Sequence, residues 1–300
     1  MLFLKHCNKT FLLLLLAVFS LYIQPGFAAG PSSAEYGVVL NLSGKQRMLS
    51  QKMSKEVMLV AIGINLDKNL ANLKNTSALF DKTIKGLRNG SKELRLPPTS
   101  SKRILRQLDK IDKLWMGFYP NIQTIISAKK VSADQISAIA ANNLPLLKEM
   151  NKAVGLYEKD AKKGGLKADQ GLAATLNLSG KQRMLTQKMS KEFLLVAYGH
   201  EVESNRLNLL ETYTLFERTL KGLLDGDTTL GLPGTKPESI RQQLTVVEKL
   251  WTGFKPIVAS AVENKGKIQH SEIEQLADSN LPLLKEMNKA VGMYEKEAAK

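Results

Sequence analysis

The chain has 300 residues, with 43 Lys and Arg against 28 Asp and Glu, a formal charge of +15, and one cysteine. A lone cysteine excludes a disulfide framework. The basic balance favours anionic partners (a small anion, lipid head groups or a polyanionic envelope polymer), while no nucleic-acid module is recognisable.

Residues 1–28 read as a secretory signal peptide: Lys5 and Lys9 are basic, Phe11 to Ile23 is apolar, and Gly26-Phe27-Ala28 places small residues at the cleavage site. The apolar run of 13 residues is shorter than the roughly 20 that a spanning helix needs. The expected location is therefore periplasmic. The alternative is an inner-membrane anchor over residues 11–23, the only way in which a membrane enters. Cleavage removes Cys7 and two lysines, leaving 41 basic and 28 acidic residues, a net charge of +13.

The mature chain reads as helices punctuated by caps. Ser32 with Glu35 forms a capping box that opens a helix expected to run to about Asp67. A second helix stops at Asn89-Gly90. Pro97-Pro98 and residues 99–101 start a third, ending near Lys130. Ser132 with Gln135 caps a fourth, which ends before Gly164-Gly165. The order then repeats: Gly226 ends the second helix, Thr235 with Glu238 caps the third, and Ser271 with Glu274 caps the fourth. Pro145 and Pro282 predict a bend in each fourth helix, with Asn143 and Asn280 as local caps for a restart.

The repetition extends to residue identity. Asn41–Glu56 (NLSGKQRMLSQKMSKE) recurs as Asn177–Glu192 with one change, Ser50 to Thr186. Asn143–Glu158 recurs as Asn280–Glu295, again with one change, Leu156 to Met293. A weaker echo pairs Leu114, Trp115, Gly117, Phe118 and Pro120 with Leu250, Trp251, Gly253, Phe254 and Pro256. Elsewhere the halves have drifted, so recent duplication does not explain the identity. Two units follow, residues 29–164 and 165–300. The fold class is all-α: two tandem four-helix up-down-up-down bundles packed side by side. One long helix running through the linker is the alternative, and Gly164-Gly165 opposes it.

On a helical wheel, Leu42, Leu49, Met53, Val60 and Ile64 form the core stripe of the first helix, with Val39 and Val57 at its edge. Lys45, Lys52 and Glu56 fall on a flank read as solvated. Opposite the core lie Gly44, Arg47, Gln51 and Ser54, with Ser43 near, continued by Leu40, Met58 and Ile62. This second face asks for a partner helix, the same helix of the other repeat being the obvious one. Arg47 and Arg183 would then meet across a pseudo-two-fold axis with a small anion between them. Gln51 and Gln187 would add amide donors, Ser43 and Ser179 hydroxyls, and Gly44 and Gly180 close approach. The competing reading pairs Arg47 with an acid such as Glu149 and makes the block a packing seam.

The first block resembles the sensor motif of the NarX-like, PilJ-type N-terminal domain of type IV pili methyl-accepting chemotaxis transducers and, more distantly, of nitrate/nitrite sensor kinases. Leu144 to Asn151 is similar to that domain's fourth helix. The resemblance implies a periplasmic four-helix sensor bundle whose first helices meet, with the motif arginine binding an anion. That role falls on Arg47 and Arg183. Lys52 and Lys188 stand where the nitrate sensors tend to carry a second arginine, and Gln51 and Gln187 where they carry an aromatic; these departures favour the pili-transducer branch.

The chain ends at Lys300, after the second bundle, so a sensor of this design is expected to act through a separate signalling protein. The other expectation is a structural envelope protein, or one binding an envelope or receptor partner, with no small ligand. No enzyme activity, metal or cofactor is expected: His200 and His270 lack metal-ligand spacing, and Met48, Met53 and Met58 point in three directions.

Overall fold

The computed structural model describes residues 30–164, 171–264 and 266–300. The expected signal peptide, its cleavage site and most of the linker after Gly164 lie outside them. Eight helices are present among the described residues: α1 (Ser33–Ile62), α2 (Leu66–Asn89), α3 (Lys102–Ala128), α4 (Ala133–Gly164), α5 (Leu172–Tyr198), α6 (Val202–Asp225), α7 (Glu238–Glu263) and α8 (His270–Ala298). The only strand-like pairings among them are the isolated bridges Ser91–Leu96 and Asp227–Leu232, which close the α2–α3 and α6–α7 loops.

Caps set several of the boundaries. Ser32 N–H donates to Glu35 Oε2 at 2.8 Å while Glu35 N–H returns to Ser32 Oγ at 3.3 Å. Ser132 and Gln135 repeat the arrangement before α4. α1 stops earlier than the expected Asp67, because Gly63 takes a left-handed φ of 84° and closes the last carbonyls. Gly199 does the same for α5 at φ 88°. Two expected caps are corrected. Thr235 does not cap α7; its hydroxyl donates to Leu223 O at 2.7 Å and meets Tyr294 OH. Nor does Ser271 open α8; the chain turns in one residue pair earlier, where Gln269 N–H donates to Glu272 Oε2 at 2.8 Å.

Within each repeat the helices pack in a ring, α1 on α2 and α4 with α3 closing the far side, and α5 to α8 likewise. An aromatic cluster pins the far side: Phe80 lies 4.5 Å from Trp115, and Phe216 4.6 Å from Trp251, by ring centroids. With Phe118 and Phe254 beside the tryptophans at 6.1 and 6.3 Å, that accounts for the aromatic residues of the echo. Trp115 also donates to Asp81 Oδ1 at 3.2 Å.

Among the described residues the most extensive helix pair is α1 against α5, across the repeats, and α8 also lies on α1. Residues Pro31–Lys300 consequently form one compact unit, with no break between the bundles. The reason is the doubly apolar α1: Leu40 and Met58 are as fully buried as Met53 and Val57 on the opposite side. Leu42, expected in the core stripe, is only half-buried.

Phe80→Ala is expected to cost about 3–5 kcal/mol by removing a fully buried ring against Trp115, read by equilibrium denaturation.

Candidate functional site

α1 and α5 run parallel and meet glycine to glycine. A Cβ placed on Gly44 would lie 3.8 Å from Gly180 Cα, and one on Gly180 at the same distance from Gly44 Cα. Helical side chains lean toward the N-terminus, so Arg47 and Arg183 reach back over this contact from opposite sides. Arg47 Nη1 donates to Asn151 Oδ1 at 3.2 Å and Nη2 to Asn177 O at 2.9 Å, across the seam. Arg183 mirrors it, with Asn288 Oδ1 at 3.3 Å and Asn41 O at 3.0 Å. Both Nη2 groups lie within 3.6 Å of the Cβ position of Gly44.

Both guanidiniums are buried, at 3% and 2% exposure, and each Nε has no partner. Among the described residues neither arginine makes an ion pair. The expected competitor Glu149 is engaged elsewhere, accepting from Gln107 at 2.7 Å and Lys152 at 2.7 Å. The nearest acids to act electrostatically are Glu158 and Glu295. Each is already held, Glu158 by Asn177 at 2.6 Å and Lys162 at 2.8 Å, Glu295 by Asn41 and by Arg95 at 3.0 Å. Burial lowers the Arg47 pKa to about 10, with Glu158 opposing; burial and then the neighbouring Arg47 lower that of Arg183 to about 9, with Glu295 opposing. Both remain cations at neutral pH. Lys45 and Lys181 flank them, also pushed down by burial and by the arginine opposite. The centre is thus strongly positive and compensated mainly by neutral dipoles.

The other predicted residues divide. Gly44 and Gly180 form the crossing. Ser43 and Ser179 are fully buried, and their hydroxyls donate to the carbonyls of Leu40 and Leu176 in their own helices. Gln51 and Gln187 are buried too; their amides donate to Ser50 Oγ at 3.3 Å and Thr186 Oγ1 at 3.1 Å, that of Gln187 also to Asn280 Oδ1 at 2.9 Å, and both Oε1 atoms lack a partner.

Several polar positions of the repeated block have a packing role that the wheel did not reveal. Gln46 and Gln182 cross to Phe80 O and Phe216 O on the second helices, at 3.2 and 2.9 Å. Glu56, read as solvated, is 1% exposed, covered by Lys52 and by Thr76, whose hydroxyl donates at 3.2 Å; Lys52 itself is mostly buried. The wheel missed this because α2 overhangs that flank. Asn143 does not cap a restart after a kink. α4 continues through Pro145, and Asn143 Nδ2 donates to Ser50 O at 3.0 Å and Ser54 Oγ at 2.8 Å. Its Oδ1 accepts from Lys191 of the other repeat at 3.1 Å, and Asn280 accepts from Lys55 at 2.8 Å. These two buried lysine–asparagine latches tie each α1-type helix to the opposite repeat's fourth helix. Sequence reasoning passed over Asn151, Asn288, Lys55 and Lys191, although all four sit in the near-identical blocks.

Burial lowers the Lys55 pKa to about 7, against the pull of Glu56 and helped by Lys52 and Lys68; it lowers Lys191 to about 8, against Glu192 and helped by Lys188. The unfolded chain holds these protons up to the usual lysine value of about 10.4. Between those limits it binds more protons than the folded chain, so stability contributed by these sites rises with pH from about 7 to 10. Lys55→Met with Lys191→Met is expected to flatten that rise in a series of thermal melts.

The family described as "Type IV pili methyl-accepting chemotaxis transducer N-term" (PilJ) matches residues 32–142 and again 166–276. The chain is also similar to the methyl-accepting chemotaxis protein McpN of Pseudomonas aeruginosa, 28% identical over 158 residues, covering 53% of this chain and 29% of that protein. It thus spans less than a third of that relative's length. With most of its length matched, in two copies, and its first helices meeting at the motif arginines, the chain belongs to the PilJ family of chemotaxis-transducer N-terminal domains.

Proposed function

We propose that this chain is a periplasmic sensor-type binding module, exported by residues 1–28, that takes one small oxyanion between Arg47 and Arg183 and acts through a separate signalling protein. In this reading residues 29–164 and 165–300 are the two halves of a pseudo-dimer. The observation that carries it is the pair of buried guanidiniums converging over the Gly44–Gly180 crossing without a carboxylate bound to either. Two buried cations of like sign are costly unless something negative neutralises them. A planar or tetrahedral oxyanion suits forked donors. Asn151 and Asn288 would hold the forks in place. Gln51 would present a donor after a half-turn of its amide, Gln187 only by giving up its bond to Asn280 Oδ1, and Ser43 and Ser179 would polarise the helix turn beneath. Membership of a transducer family supports a sensing role, as does the likeness to a methyl-accepting chemotaxis protein of P. aeruginosa.

Calorimetry of the mature chain against nitrate, nitrite, sulfate, phosphate and acetate tests this. One of them should bind with one site per chain. Arg47→Ala and Arg183→Ala should each weaken it by about 10–100-fold, the loss expected for a charge-assisted hydrogen bond, with the helical circular dichroism retained. Binding by none, or binding indifferent to both arginines, would favour a partner-binding envelope protein instead.

Gly44→Ala offers a finer check. The new methyl meets its neighbours at 3.4 Å or more, ordinary contact, so the fold should persist. It occupies the space beside both Nη2 groups, so oxyanion affinity should still fall, as the same titration reads.

A further inference from the structure

A second group of unsatisfied charges lies away from the arginines. α5 forms the floor of a groove whose walls are α4 of the first repeat and α6 of the second. Its volume is about 410 Å³, within the ~300–1,000 Å³ of small-molecule sites. Lys191 and Glu192 lie side by side on the floor with Leu195; Ser137 and Leu144 stand on one wall, and Ser204 on the other.

Both floor charges are buried, Lys191 at 4% exposure and Glu192 at 1%. The ammonium of Lys191 donates to a neutral amide, Asn143 Oδ1. The carboxylate of Glu192 takes Lys188 on Oε1, and its Oε2 has no partner. We propose that this groove is a second binding site, for a small zwitterion of the α-amino acid type. A ligand ammonium would satisfy the free carboxylate oxygen, and a ligand carboxylate would take the remaining donors of Lys191. The pair adds no net charge to a buried place. A simple anion would meet Glu192, and a simple cation Lys191, at the cost of like-charge repulsion. Leu144 and Leu195 offer apolar surface to the ligand's side chain.

Glu56 Oε2 is likewise without a partner, but the walls around Lys55 and Glu56 are built differently. They carry Lys68 where this groove has Ser204, Asp278 where it has Ala141, and Glu274 where it has Ser137. Long charged side chains stand in place of small ones, so a single site per chain is expected. It is independent of the oxyanion reading, since it shares no residue with the arginine pair.

The test is calorimetry of the mature chain with a panel of α-amino acids, with acetate and ethylamine as single-charge controls. At least one amino acid should bind one to one, and each control at least about tenfold more weakly. Glu192→Gln should lower amino-acid affinity by about tenfold or more, the scale of one charged hydrogen bond. Ser204→Trp should do the same by filling the groove from an exposed position that leaves the core untouched. Met116→Ser, on the exposed face of α3, should leave affinity unchanged. No amino-acid binding to the wild type, acetate binding as tightly, or affinity indifferent to both Glu192→Gln and Ser204→Trp would overturn the proposal.

Discussion

The constraint on which the rest depends is the placement of two arginines over a glycine–glycine helix crossing. A side chain larger than alanine at Gly44 or Gly180 would push α1 and α5 apart. Parallel orientation follows from the same point, because only then do the two arginines lean back over one another and reach Asn177 O and Asn41 O. The fourth helices contribute Asn151 and Asn288 as neutral anchors. Glu158 and Glu295 stand off, occupied by other donors, so that they temper the positive centre and do not quench it.

Around that centre the two near-identical blocks interlock. The first block supplies Gln46 to hold α2 and Lys55 to reach the opposite α8. The second supplies Asn143 to hold its own α1 while receiving Lys191, and Tyr157, whose hydroxyl meets Thr99 at 2.9 Å in the loop after α2. The polar identities of the blocks are therefore used both within a repeat and between repeats, and Arg47 and Asn143 serve in both ways. Buried polar groups tolerate little change, because losing one partner leaves the other stranded. That accounts for near-identity in these blocks and drift elsewhere.

Much of the architecture was legible in the sequence. Capping at Ser32 and Ser132, the stops at Gly90 and Gly226, and the second apolar face of α1 gave eight helices and the seam. The arginines could be placed at the seam because Gly44 and Arg47 share one stripe with Leu40 and Met58. What failed was the flank. A wheel of one helix cannot show that α2 overhangs Glu56, or that Lys55 finds Asn280, a residue 225 positions away. The proline-adjacent asparagines misled for a related reason. Local grammar reads Asn before Pro as a cap, whereas Asn143 turns its amide sideways into a neighbouring helix. Thr235 and Ser271 were equally plausible caps that tertiary contacts diverted or displaced.

Joining both halves in one polypeptide has a consequence for evolution. In a receptor made of two identical subunits, every mutation near the two-fold axis appears twice, and the site must stay symmetric. Here each half can change alone. Thr186 opposite Ser50, His200 opposite Ile64 and Ser204 opposite Lys68 record that freedom. Such a protein can tailor one side to a lopsided molecule while the other side keeps the frame rigid.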